Sequence, residues 1–135
     1  ELHRLAGHAA DVRAVDVGPD GRTLASGGFD GVVRVWDLEA GRPVRHWPAH
    51  EGYVERVRFL DAGRLLTCGG PGSDHDRADG GAVTVWDPDT ATAVRAWRGP
   101  EWTGLISLDV SADGTALAAG NRDGLVRLWP ITLDR

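Results

Sequence analysis

The chain has 135 residues, 41% of them hydrophobic and 26% charged, and carries a net charge of −5. That suits one ordinary domain with enough apolar material for a core, and it is not the composition of a disordered chain. The mild acidity gives no footprint for nucleic acid or an anionic membrane, and no apolar run approaches the ~20 residues of a membrane span.

In chain order, Leu2 to Leu5 is the first strand-like stretch. Gly7 to Asp37 follows, with Val15 and Val17 at strand periodicity, a turn at Pro19-Asp20-Gly21, a second strand over Leu24 to Ser26 and a β-branched third over Val32 to Trp36. A short fourth strand ends in Trp47. The order then repeats: Val57 and Phe59, a turn at Asp61-Ala62-Gly63, Leu65 to Thr67, Ala82 to Trp86, and a strand ending in Trp97. It repeats once more with Leu108 and Val110, Ala112-Asp113-Gly114, Leu117 to Ala119 and Leu125 to Trp129. No segment has a helical period.

The register is regular. His8 stands 28 residues before Trp36, and Glu101 stands 28 before Trp129. His50 stands 36 before Trp86, so the second repeat carries eight extra residues, which fit in Pro71 to Gly81. The GH…WD frame of the first repeat, with PDG and ASGGFDG inside it, resembles the WD-repeat family. Three matches in register cover essentially the whole chain.

The resemblance implies an all-β propeller of three four-stranded antiparallel blades, over approximately 9–47, 54–97 and 105–129, forming part of a larger ring. The chain stops after the third strand of its last repeat. The stretch 2–5 is therefore expected as a detached outer strand, able to complete the last blade of the ring. Three blades cannot close a ring. Two explanations stay open: self-assembly of two or three copies into six or nine blades, and a fragment of a larger multidomain protein with a sensing propeller.

The resemblance also implies a hydrogen-bonded group inside each blade. The first repeat has the full set of His8, Ser26, Asp30 and Trp36. The second has His50, Thr67 and Trp86, with Asp79 shifted by the insertion. The third keeps only Asp123 and Trp129, because Glu101 and Ala119 replace the other two. Blade one is expected to be held best and blade three to lean on its neighbours. Ser, His and Asp recurring together could suggest a hydrolase, but a network repeated blade by blade has no reason to carry a nucleophile, and no Gly-x-Ser-x-Gly elbow accompanies it.

Family members commonly receive peptides on the rim that bears the His loops. Residues expected there are Asp11, Tyr53 and Trp102, before the first strands, and Phe29 and Arg122, before the turn aspartates. An aromatic-plus-arginine set suits a protein hot spot, although Phe29 and Trp102 could equally serve packing between blades. Asp74, His75, Asp76 and Asp79 with Gly80 look faintly like a calcium loop, but the spacing fails and a solvated insertion is the better reading. No metal, cofactor or catalytic residue is assigned. The tryptophans read as packing rather than base-stacking platforms, since Trp36, Trp86 and Trp129 recur at one strand position, as packing between stacked sheets requires.

The expected function is a non-enzymatic scaffold for a protein or peptide. The alternatives are a purely architectural ring, in which copies contact one another, and an enzyme using the channel or the insertion. Nucleic-acid and membrane partners are not expected, and a cytoplasmic setting is. One cysteine, Cys68, excludes an internal disulfide and reads as a small buried side chain. All fifteen basic residues are arginine, which suggests a GC-rich, bacterial source. The lack of methionine suggests a piece cut from something longer, or one that has lost a leader.

Overall fold

The computed structural model describes residues 1–61, 63–70, 81–98 and 105–131. Among the described residues eleven strands form three antiparallel sheets, and there is no helix. Blade one is β1 (Val12–Val17), β2 (Thr23–Gly28), β3 (Val32–Asp37) and β4 (Arg42–Pro48), hydrogen-bonded in that order. Blade two is β5 (Tyr53–Asp61), β6 (Arg64–Gly70), β7 (Ala82–Asp87) and β8 (Thr92–Arg98) in the same order. The third sheet has three strands among the described residues: β9 (Leu105–Val110), β10 (Ala116–Asn121) and β11 (Val126–Pro130).

Local chemistry sets the turns. Asp20 Oδ1 accepts from the N–H of Arg22 at 2.8 Å and of Thr23 at 2.9 Å, closing the β1–β2 connection over Gly21 at φ 67°. Asp113 repeats the device before β10, accepting from Thr115 N at 3.1 Å and Thr115 Oγ1 at 2.7 Å.

Two apolar clusters join the blades. Ala25, Val33, Val35 and Trp47 of blade one meet Val54, Val57, Leu65 and Trp86 of blade two. Leu66, Cys68, Val83 and Val85 of blade two meet Leu105, Leu108, Leu117 and Ala119 of the third sheet, with Ile131. Leu65 and Leu66 are adjacent in sequence, so strand pleating sends them to opposite clusters. Blade two is thus covered on both faces, and β7 is buried from Ala82 to Trp86. At the outer ends the equivalent positions are open. Val15 is 62% exposed where Val57 is 2%, and Val126 and Leu128 are 77% and 74% exposed where Val33 and Val35 are 0% and 5%.

Polar links reinforce the inner strands. Phe59 N donates to Asp16 Oδ2 at 2.7 Å, Arg13 Nη2 lies 2.9 Å from Glu55 Oε1, and Arg58 Nη2 lies 2.8 Å from Asp109 Oδ1.

Close approach fixes one glycine. A Cβ added at Gly27 would stand 2.8 Å from Val54 Cβ, with Val57 Cγ1 at 3.2 Å, and both valines lie in the interblade cluster. Gly27→Ala is expected to destabilise by about 1–3 kcal/mol through overpacking, read as a lower urea midpoint at unchanged slope. A midpoint equal to the parent's would mean that the two blades are not in contact there.

The stretch Leu2 to Leu5, expected as a detached outer strand, pairs with no strand among the described residues. Residues 1–8 take no strand conformation, since no described strand lies alongside to complete a ladder. The segment still occupies a telling place. Leu2 and His3 line a recess with Leu38 and Glu39 of the β3–β4 turn, and the His3 ring rests where a Cβ on Gly41 would be. Val44 and Arg45 of β4 line a recess with Pro88 and Asp89 of the β7–β8 turn in the same manner. By the repeat register, Leu2 and His3 correspond to Val44 and Arg45. The segment lies against blade one as β4 lies against blade two, without a ladder.

Candidate functional site

In blade one the internal network closes completely. His8 Nδ1 is 2.8 Å from Asp30 Oδ2 and His8 Nε2 is 2.7 Å from Ser26 Oγ, which also accepts from Trp36 Nε1 at 2.9 Å. Asp30 further accepts from Ala9 N and Val32 N, each at 3.1 Å. Burial alone pushes the Asp30 carboxyl up, but the bonds from His8, Val32 and Ala9 outweigh it and hold the group below its ordinary value.

The order Asp–His–Ser is that of a hydrolytic triad, yet the surroundings differ. Ser26 is 3% exposed, and the indole N–H already donates to its oxygen. No substrate carbonyl reaches such a hydroxyl.

Blade two keeps the His-to-Trp half. His50 Nε2 is 2.8 Å from Thr67 Oγ1, which accepts from Trp86 Nε1 at 2.9 Å. Burial, aided by the positive charge of Arg98, lowers His50 to about 4. Asp79, Asp74, His75, Asp76 and Gly80 lie outside the described residues, as do Glu101 and Trp102. The Cys68 thiol is fully buried, and burial pushes it up to about 12.

In the third sheet Ala119 is buried where the other blades have a hydroxyl. Asp123 still accepts from Leu125 N at 3.0 Å, the bond that Asp30 makes to Val32. Its other oxygen meets Arg127 Nη2 at 2.7 Å, on the surface. Trp129 is half-buried.

The rim carries the remaining named residues. Asp11 and Arg122 are exposed, Phe29 is half-buried, and Tyr53 is 9% exposed. The Asp11 carbonyl accepts from Phe29 N at 2.9 Å, fixing the β2–β3 turn to the start of β1. The turn bearing Arg122 belongs to β10–β11, and its charge reaches Tyr53. Burial and then Glu55 push that phenol up, and Arg122 works in the opposite direction. Phe29 has a partner that sequence reasoning missed: the Arg13 guanidinium carbon lies 5.3 Å from its ring centroid. The two residues stand 16 apart in sequence, and no local pattern joins them. Among the described residues no group of three or more His, Cys, Asp or Glu could hold a metal, and no helix is long and apolar enough to cross a membrane.

A family model described as WD domain, G-beta repeat matches residues 1–37, 41–87 and 92–130. The chain is 34% identical over 144 residues to the small ribosomal subunit protein RACK1 of Medicago sativa, an overlap that takes in 94% of this chain and 41% of that protein. It is 32% identical over 145 residues to small ribosomal subunit protein RACK1z of Arabidopsis thaliana, with the same 94% and 41%. It is 32% identical over 136 residues to small ribosomal subunit protein RACK1y of Oryza sativa subsp. japonica, covering 96% and 37%. The chain thus spans roughly two fifths of the length of these relatives. They are plant proteins, so the bacterial source read from the arginine bias is not borne out. Neither the self-assembling ring nor the sensor fragment gains support from them.

Proposed function

The chain belongs to the WD-repeat family, and from that premise we propose that it is a non-enzymatic module that holds a protein or peptide partner on the rim bearing Asp11, Phe29, Tyr53 and Arg122. The observation that carries this reading is the junction of blades one and two at the rim, where the Arg13 guanidinium lies over Phe29 and pairs with Glu55. Aromatic and arginine side chains on short turns between paired strands can bind with a limited ordering cost. Tyr53, mostly buried, supports the rim from beneath and offers only an edge.

Catalysis is left out of the proposal because the one Ser–His–Asp set is spent on holding Trp36. The relatives are named as proteins of the small ribosomal subunit, so a protein of that subunit is the first partner to test, and a cytoplasmic setting goes with it. The net charge of −5 argues for a protein surface over the nucleic acid itself.

Phe29→Ala and Arg122→Ala are each expected to weaken co-sedimentation with small ribosomal subunits, or capture of a partner from lysate, by roughly tenfold or more. Thermal midpoints should stay close to the parent's. Capture undiminished in both variants would remove the rim from the proposal.

A further inference from the structure

Arg13 is held in place more completely than the other cations of the rim whose contacts are described. Its Nη2 is fixed by Glu55 Oε1 at 2.9 Å, and its guanidinium carbon lies over the Phe29 ring, 5.3 Å from the centroid. The pair crosses from blade one to blade two. Its two ends differ in exposure: the Arg13 side chain is 40% exposed, while that of Glu55 is 5%. The carboxylate is sunk, and the arginine is the end of the pair that is open to water.

Arg56 also approaches Glu55, with Nη1 3.4 Å from Oε1 and 2.8 Å from the Glu55 carbonyl. Among the described contacts, two guanidinium groups thus share one carboxylate at the junction of blades one and two.

A mobile surface arginine loses rotamer freedom when it binds, and that loss offsets much of the gain. A guanidinium already fixed in plane and direction avoids most of it. Its planar fork matches a carboxylate through two parallel hydrogen bonds. We infer that the Arg13 guanidinium, held over Phe29 by Glu55, is the receptor for a carboxylate side chain of an acidic peptide segment. The inference rests on the rim reading given above and narrows it to a class of partner. Asp11, exposed two residues before Arg13, works against the same partner and limits its affinity.

The test pans a random dodecapeptide phage library against the intact protein, then measures a selected peptide beside its Glu→Gln counterpart. A pool rich in Asp and Glu is expected, with the Gln counterpart weaker by roughly tenfold. Arg13→Gln should erase that difference, and Arg13→Lys, which keeps the charge without the fork, should restore only part of it. Asp11→Asn should tighten the acidic peptide by about two- to threefold, a gain that misfolding cannot produce. A pool without acidic enrichment, or a Glu-over-Gln preference that survives Arg13→Gln, overturns the inference. If such a pool still depends on Phe29 and Arg122, the rim reading stands without it. Binding indifferent to all rim variants overturns both.

Discussion

Trp86→Ala is expected to cost about 3–5 kcal/mol of unfolding free energy, the largest loss from any single truncation in the chain. The indole performs two tasks at once. Its ring fills the cluster between blades one and two, with its centroid 5.7 Å from that of Trp47 at a tilt of 54°. Its N–H donates to Thr67 Oγ1 and thereby orients the hydroxyl that meets His50. Alanine leaves a large cavity between two sheets that strand ladders keep from collapsing, and it takes away one of the two partners of a buried hydroxyl. Trp86→Phe separates the tasks, keeping most of the ring and losing only the donor, for about 1 kcal/mol. Trp129→Ala should cost less than half as much as Trp86→Ala, because Trp129 is half-buried and no fourth strand flanks it among the described residues. Denaturant midpoints of the three variants rank them. Equal losses for Trp86→Ala and Trp129→Ala would show that the blades are equivalent and that the interblade cluster adds nothing.

The parts of this architecture that sequence revealed are those governed by local chemistry. Alternation at Val15 and Val17, turn residues at Asp20 and Gly21, and the β-branched run before Trp36 each depend on neighbours within a few positions. The network of His8, Ser26, Asp30 and Trp36 was readable because the family frame fixes its spacing. What escaped depends on contacts between blades. The sequences of β3 and β7 are nearly alike, yet Arg34 in one is half-buried and Thr84 in the other is buried, because only blade two has a neighbour on each side. Tyr53 was expected on the rim surface and is mostly covered, packed by its hydroxyl against Gly70. Arg13 and Glu55, 42 residues apart, leave no local trace of their pairing. Their opposed charges at one repeat position were the only hint, as were Asp16, Arg58 and Asp109 one turn of the pleat further on. Leu2 to Leu5 matched a strand in pattern, but a strand exists only through the partner that completes its hydrogen bonds.

The two histidines of the network lead to a pH dependence that belongs to blade two. His8 faces the Asp30 carboxylate, whereas the charge acting on His50 is the cation of Arg98. Burial first and Arg98 second lower His50 from 6.5 to about 4. The native state therefore keeps this imidazole neutral at a pH where the unfolded chain protonates it. Above pH 6.5 both states carry neutral imidazole, and its contribution is fully present. As pH falls from 6.5 toward 4 the unfolded state gains a proton that the native state does not, so stability declines, by about 3 kcal/mol in all at roughly 1.4 kcal/mol per unit. Below about 4 the native ring protonates as well and this loss levels off. Urea unfolding of the parent and of His50→Gln between pH 7 and pH 4.5 measures it. His50→Gln should be less stable at pH 7, having lost the bond to Thr67, yet its stability should fall less steeply with acid by nearly one proton. Arg98→Gln should show an intermediate slope, since removing the neighbouring cation leaves burial alone to depress the group. Parallel pH profiles for the parent and His50→Gln would mean that His50 titrates as an exposed imidazole, and the buried link from His50 through Thr67 to Trp86 would then have to be abandoned.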